Sequence, residues 1–204
     1  MKKILLFLIF NYILCSINHI SAQYPEYSVG IRGGTAWSFI QSSPSINQPK
    51  FPLSYHGGIQ FRFVSEKYFG IKMELNYTQR GFKDKEGHRR LDYLELPFMT
   101  HLTFGQKLFR FFIDLGPEIS YLIKDNPISS NNLQHITPIK NKFDYGLVGG
   151  LGFEFNTKYG IYTIDARYNF GLNNIFGNSA TEYFKSSTNQ NITLSLAYLF
   201  PIRN

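Results

Sequence analysis

From Tyr27 to Phe200 the chain alternates large apolar residues with polar or small ones at a period of two, the signature of β-strands with one face in an apolar environment. Eight such stretches run at roughly 27–40, 53–64, 69–82, 90–104, 109–124, 142–156, 159–172 and 189–200. In the third, Ile71, Met73, Leu75 and Tyr77 oppose Lys72, Glu74, Asn76 and Thr78. In the seventh, Tyr162, Ile164, Ala166, Tyr168 and Phe170 oppose Thr163, Asp165, Arg167 and Asn169. In the last, Ile192, Leu194, Leu196, Tyr198 and Phe200 oppose Thr193, Ser195 and Ala197. The sixth, FDYGLVGGLGFEF, places Phe143, Tyr145, Leu147, Leu151, Phe153 and Phe155 on one face. Asp144, Gly146, Gly150, Gly152 and Glu154 lie on the other. Each stretch is long enough for a tilted strand to cross a bilayer.

The connections alternate in length. SEKY, GQKL and NTKY are short turns, whereas QSSPSINQPKFP, KDKEGHR, DNPISSNNLQHITPIKN and NNIFGNSATEYFKSST are mostly longer and polar. That is the pattern of an outer-membrane barrel with short periplasmic turns and longer extracellular loops. Eight strands place both termini on the periplasmic side.

A soluble barrel of the lipocalin type would keep its apolar face inside; a membrane barrel inverts this. The polar face decides between them. It carries Arg32, Gln60, Arg62, Lys72, Glu74, Asn76, Arg80, Glu95, His101, Asp114, Glu118, Glu154, Asp165, Arg167 and Asn169, both signs mixed and interspersed with glycines. Such a set suits a narrow lumen closed by ion pairs, and eight strands enclose only enough room for side chains. The opposite face, almost unbroken Leu, Ile, Phe and Tyr, would be a very large exposed apolar patch in water. The expected fold class is therefore all-β, an eight-stranded antiparallel transmembrane β-barrel. Gly146, Gly150 and Gly152 are expected to make room for long basic side chains from neighbouring strands. Trp37, Tyr68, Tyr121, Tyr159, Tyr168 and Tyr198 are candidates for the interfacial girdles.

The N-terminus supports the address. Lys2 and Lys3 precede the apolar run Ile4–Leu14, and Ser21-Ala22 ends it, so residues 1–22 read as a secretory signal peptide and residues 23–204 as one barrel domain. The run falls short of the roughly 20 residues of a spanning helix. Leu14 before Cys15 does not fit a lipoprotein signal. Cys15 is the single cysteine of the 204 residues, which leaves the exported part without disulfides or thiolate metal sites. The formal charge of +7 is scattered along the chain, with short clusters such as His88-Arg89-Arg90. That scatter fits a solvated surface, not nucleic acid, and the natural anionic partner after export is lipid headgroup or surface polysaccharide.

Candidate chemistry is sparse. GLVGGLG lacks the G-x-G-x-x-G spacing and no helix pattern follows it. Asp114, Glu118 and Glu154 could act as paired acids, but salt bridges with Arg32, Arg62 and Arg167 explain them more simply. His56, His88, His101 and His135 contain no pair at metal-ligand spacing. His56 with Ser54 has the residue types of a lipid A hydrolase or acyltransferase at the outer rim, without an orienting third group. No catalytic, cofactor or metal residues are therefore expected, and no enzymatic activity. Loops 125–141 and 173–188 are rich in Asn, Ser and Thr, and Ile136, Ile139, Phe176, Tyr183 and Phe184 within them point to an ordered contact surface.

The segments GIRGGTAWS, GIKMELNYTQRG, YLELPFMTHLTF, FFIDLGPEISYLI, FDYGLVGGLGFEF and ARYNFGLNNI together resemble the "porin family" or PorT-like outer-membrane barrels, OmpX-like eight-stranded barrels of the Bacteroidota type. The resemblance spans nearly all of the exported chain. It implies an integral outer-membrane protein whose partners are the bilayer, lipopolysaccharide and the barrel-assembly machinery. Some relatives are accessory to type IX protein secretion. A small-solute conduit and a lipid A-modifying enzyme are the alternatives. Family chains end at an aromatic after the last strand; here Pro201-Ile202-Arg203-Asn204 follow Phe200.

Overall fold

The computed structural model describes residues 25–43, 53–84, 87–106, 108–128, 142–172 and 186–202. The expected signal segment 1–22 lies outside them. Eight strands form: β1 (Glu26–Ser43), β2 (Leu53–Glu66), β3 (Phe69–Asp84), β4 (Gly87–Gln106), β5 (Phe109–Ile128), β6 (Phe143–Asn156), β7 (Ile161–Gly171) and β8 (Ser186–Ile202). Each pairs antiparallel with its sequence neighbour, and β1 pairs with β8 to close the barrel. Closure satisfies every strand edge within lipid, where no water can pair an open one.

The short connections lie where the sequence places them, at 67–68, 107–108 and 157–160. Just before the second, still within β4, Gly105 adopts φ 129°, a backbone conformation that L side chains rarely adopt. At the opposite end one expectation is corrected. KDKEGHR is not a loop: Asp84 pairs with Gly87, and most of the segment extends β3 and β4. Beyond the bilayer a strand needs no apolar face, so the hairpin continues after the alternation has stopped. β5 likewise continues to Ile128, opposite His88.

Pro201 is accommodated within β8. It faces Ser28 of β1, while the pairing with β7 reaches only Leu199. β8 thus has a free side there, the position at which a residue without an N–H is tolerated.

The two faces divide as the alternation requires. Phe143, Tyr145, Leu147, Leu151, Phe153 and Phe155 are all outward and exposed, whereas Asp144 and Glu154 are buried towards opposite ends of the lumen. The interior is polar with a few large apolar fillers, Met99, Phe112, Val148 and Leu199 among them. Of the girdle candidates, Tyr68 stacks near Phe104 with ring centres 6.2 Å apart, and Tyr121 meets Phe143 at 4.9 Å. Tyr198 donates to the Tyr159 carbonyl at 2.8 Å. Tyr168 donates to Gln190 at 2.6 Å.

Candidate functional site

The chemistry of this molecule is concentrated inside the barrel. All fifteen polar-face residues named from the sequence are buried. At the turn end Arg62 of β2 pairs with Glu154 of β6, and Arg110 of β5 reaches Glu26 at 3.3 Å and Glu154 at 3.4 Å. Above them Lys72 holds Asp114 at 2.7 Å, and His101 Nδ1 lies 2.6 Å from the same carboxylate. The Lys72 ammonium also sits over the Phe112 ring, 4.3 Å from its centre. In the middle, Arg167 of β7 grips both oxygens of Glu74 of β3. Arg32 of β1 pairs with Glu74 and, at 3.2 Å, with Asp165.

Towards the loop end Arg80 donates from Nε and Nη2 to Glu95 Oε1 at 2.9 and 2.6 Å, and lies 3.1 Å from Glu118 and 3.6 Å from Asp144. Its guanidinium stacks on Tyr93, 4.7 Å from the ring centre. Buried charge is costly unless paired and hydrogen-bonded, and these contacts supply the pairs. Two gaps between the side chains have volumes of about 10 Å³ each, room for about one water apiece.

The partners expected for the three candidate acids are corrected in part. Glu154 does meet Arg62, and Asp114 lies 3.5 Å from Arg167. Glu118 instead pairs with Arg80, and Arg32 belongs to Glu74 and Asp165. Strand register sets these choices, and sequence alternation gives the face of a residue but not its height. Arg110 and Glu26 were absent from the sequence-derived set, although Arg110 shares the parity of Asp114 and was legible on that ground. Gly150 makes room for a basic chain as expected: a Cβ there would lie 2.5 Å from Arg167 Cγ. At Gly152 the space is taken by the Phe112 ring and Asp165, and at Gly146 the nearest atom is the Phe170 carbonyl oxygen.

His56 does not join Ser54 at a lipid-facing rim. Both residues are buried on the lumen side, and His56 Nε2 lies 3.0 Å from Ser195 Oγ, which also accepts from Arg32. Nδ1 of His56 has no partner among the described residues, so no third group orients the ring. Among the described residues, no group of three or more His, Cys, Asp and Glu is placed to hold a metal ion. His135 and the side chain of His88 lie outside the description.

Comparison with known families gives a match over residues 21–177 to the model described as outer membrane protein beta-barrel domain. The chain belongs to that family. As a member of it, the protein is an integral barrel of the outer membrane, and its surroundings are the lipid bilayer. Among solved structures it is similar to the outer membrane protein OprG of Pseudomonas aeruginosa, at 17% identity and a TM-score of 0.55, covering 88% of this chain and 98% of that one. It is also similar to Neisserial surface protein A, at 9% identity and a TM-score of 0.53, covering 87% and 100%. At such identities the likeness speaks for the fold alone. No curated protein matches the chain.

Proposed function

We propose that this outer-membrane barrel is a non-conducting structural or interaction protein, of the PorT-like type and accessory to type IX protein secretion. The observation that carries the first part is the filled lumen, in which ion pairs join non-adjacent strands at several heights, Arg62–Glu154 and Arg167–Glu74 from opposite walls and Lys72–Asp114 and Arg80–Glu118 from β3 to β5. A solute conduit needs an open path, and the two gaps between the described side chains hold only about 10 Å³ each. The secretion role rests on the sequence resemblance, chiefly YLELPFMTHLTF and FFIDLGPEISYLI in β4 and β5. In this reading the turn end and both termini face the periplasm. The opposite end of the barrel faces outward, towards lipopolysaccharide and secretion-system proteins. The barrel-assembly machinery inserts the chain.

Deletion of the gene tests the role. Precursors of secreted proteins held in the periplasm, with a broad loss from the medium, are the expected result. An unchanged set of released proteins would remove the secretion role and leave a structural or adhesive barrel. Lipid A chemistry is tested separately: His56→Ala is expected to leave lipid A unchanged, because His56 faces the lumen.

A further inference from the structure

Among the described residues, charge is balanced through the lower and middle lumen and unbalanced near the loop end. Below, Arg32, Arg62, Lys72, Arg110 and Arg167 face Glu26, Glu74, Asp114, Glu154 and Asp165, five against five. Above, among the described residues, three buried carboxylates, Glu95, Glu118 and Asp144, share one guanidinium, that of Arg80. Nearer the rim, Arg90 is engaged by Asp92 at 3.5 Å, and Lys124, opposite Asp92, is exposed. Arg80 is committed mainly to Glu95, which it contacts from two nitrogens and which also accepts from Thr78 at 2.7 Å.

One of the water-sized gaps lies at this cluster. Glu118, Ser120, Asp144 and Asn169 line it, with Arg80 at its edge. Two buried oxygens of these residues, Asp144 Oδ1 and Asn169 Oδ1, have no hydrogen-bond partner among the described residues. The Asn169 amide is oriented by its Nδ2, which donates to Glu118 Oε2 at 2.5 Å. Buried oxygens without partners, beside uncompensated negative charge and next to a gap of atomic size, call for a positive guest.

We propose that this recess holds one small hard cation, a divalent ion of the calcium or magnesium type, with Glu118 and Asp144 as its anionic ligands and Asn169 and Ser120 as neutral oxygen donors. All four groups offer hard oxygens, the ligand type such ions select. Charge also matches: with Arg80 assigned to Glu95, Glu118 and Asp144 leave two negative charges for two positive ones. Two carboxylates beside a guanidinium make a weak site, suited to the millimolar affinities of extracellular calcium modules.

The test uses the folded barrel in detergent, first with chelator and then with about 10 mM calcium chloride, roughly tenfold above a weak extracellular affinity. The readout is the temperature at which the compact barrel band is lost on a gel. A rise of about 2–4 °C is expected, absent with sodium chloride of equal ionic strength. Glu118→Gln and Asp144→Asn should each abolish the rise. In chelator both variants should be at least as stable as the wild type, because each removes a like charge; residues with a merely structural role would lose stability. No divalent-specific rise in the wild type, or the same rise in both variants, would overturn the proposal.

Discussion

Arg167 of β7 and Glu74 of β3 form a two-point ion pair across the lumen, Nη1 to Oε2 at 2.8 Å and Nη2 to Oε1 at 2.9 Å. Three strands lie between β3 and β7 either way around the closed barrel, so the pair spans its full width. Glu74 is also the partner of Arg32, which makes it the hub of the middle layer. Removing its charge leaves two buried guanidinium groups short of a partner. Glu74→Gln should cost about 3–5 kcal/mol, read by urea unfolding in lipid vesicles. Arg167→Lys keeps the charge but loses the two-point fit, and should lie between that variant and the wild type.

The lipid face yields a depth-dependent prediction. Leu151 lies near the middle of the outward row from Phe143 to Phe155, and Phe155 at its turn end. Leu151→Arg should destabilise by about 2–4 kcal/mol, against about 0–1 kcal/mol for Phe155→Arg. Equal costs at the two positions, measured in the same vesicles, would contradict the membrane depth assigned to this strand.

Glycines give a third. At Gly150 an added Cβ would press on Arg167 Cγ at 2.5 Å and on the Ala166 carbonyl at 2.9 Å. Gly150→Val should therefore displace Arg167, uncouple the pair with Glu74 and lower the unfolding midpoint. At Gly57, on the lipid face, the nearest atom is the Arg32 carbonyl at an ordinary 3.5 Å. Gly57→Ala should stay within about 0.5 kcal/mol of the wild type.

Alternation at a period of two was enough to read eight strands and to assign faces, because lipid on one side and a filled lumen on the other leave no residue indifferent to its direction. It did so for Glu154 and Phe155 as plainly as for Arg167 and Phe170. The partners were not legible. Glu118 meets Arg80 and not Arg32, and the stagger of neighbouring strands, which local pattern does not record, decides this. The apolar fillers were hidden for a different reason: Phe112 and Met99 look lipid-facing by type and reveal themselves only by parity. The hairpin of β3 and β4 was read as ending early because its tip lies beyond the lipid that enforces alternation.

The central claim is that the lumen is closed. Conductance across a planar lipid bilayer holding the purified, folded barrel tests it most directly. No unitary steps are expected from the wild type, because ion pairs from Arg62–Glu154 at the turn end to Arg80–Glu118 near the loop end leave no continuous path. Reproducible unitary steps from the same preparation would contradict the account and restore the conduit reading.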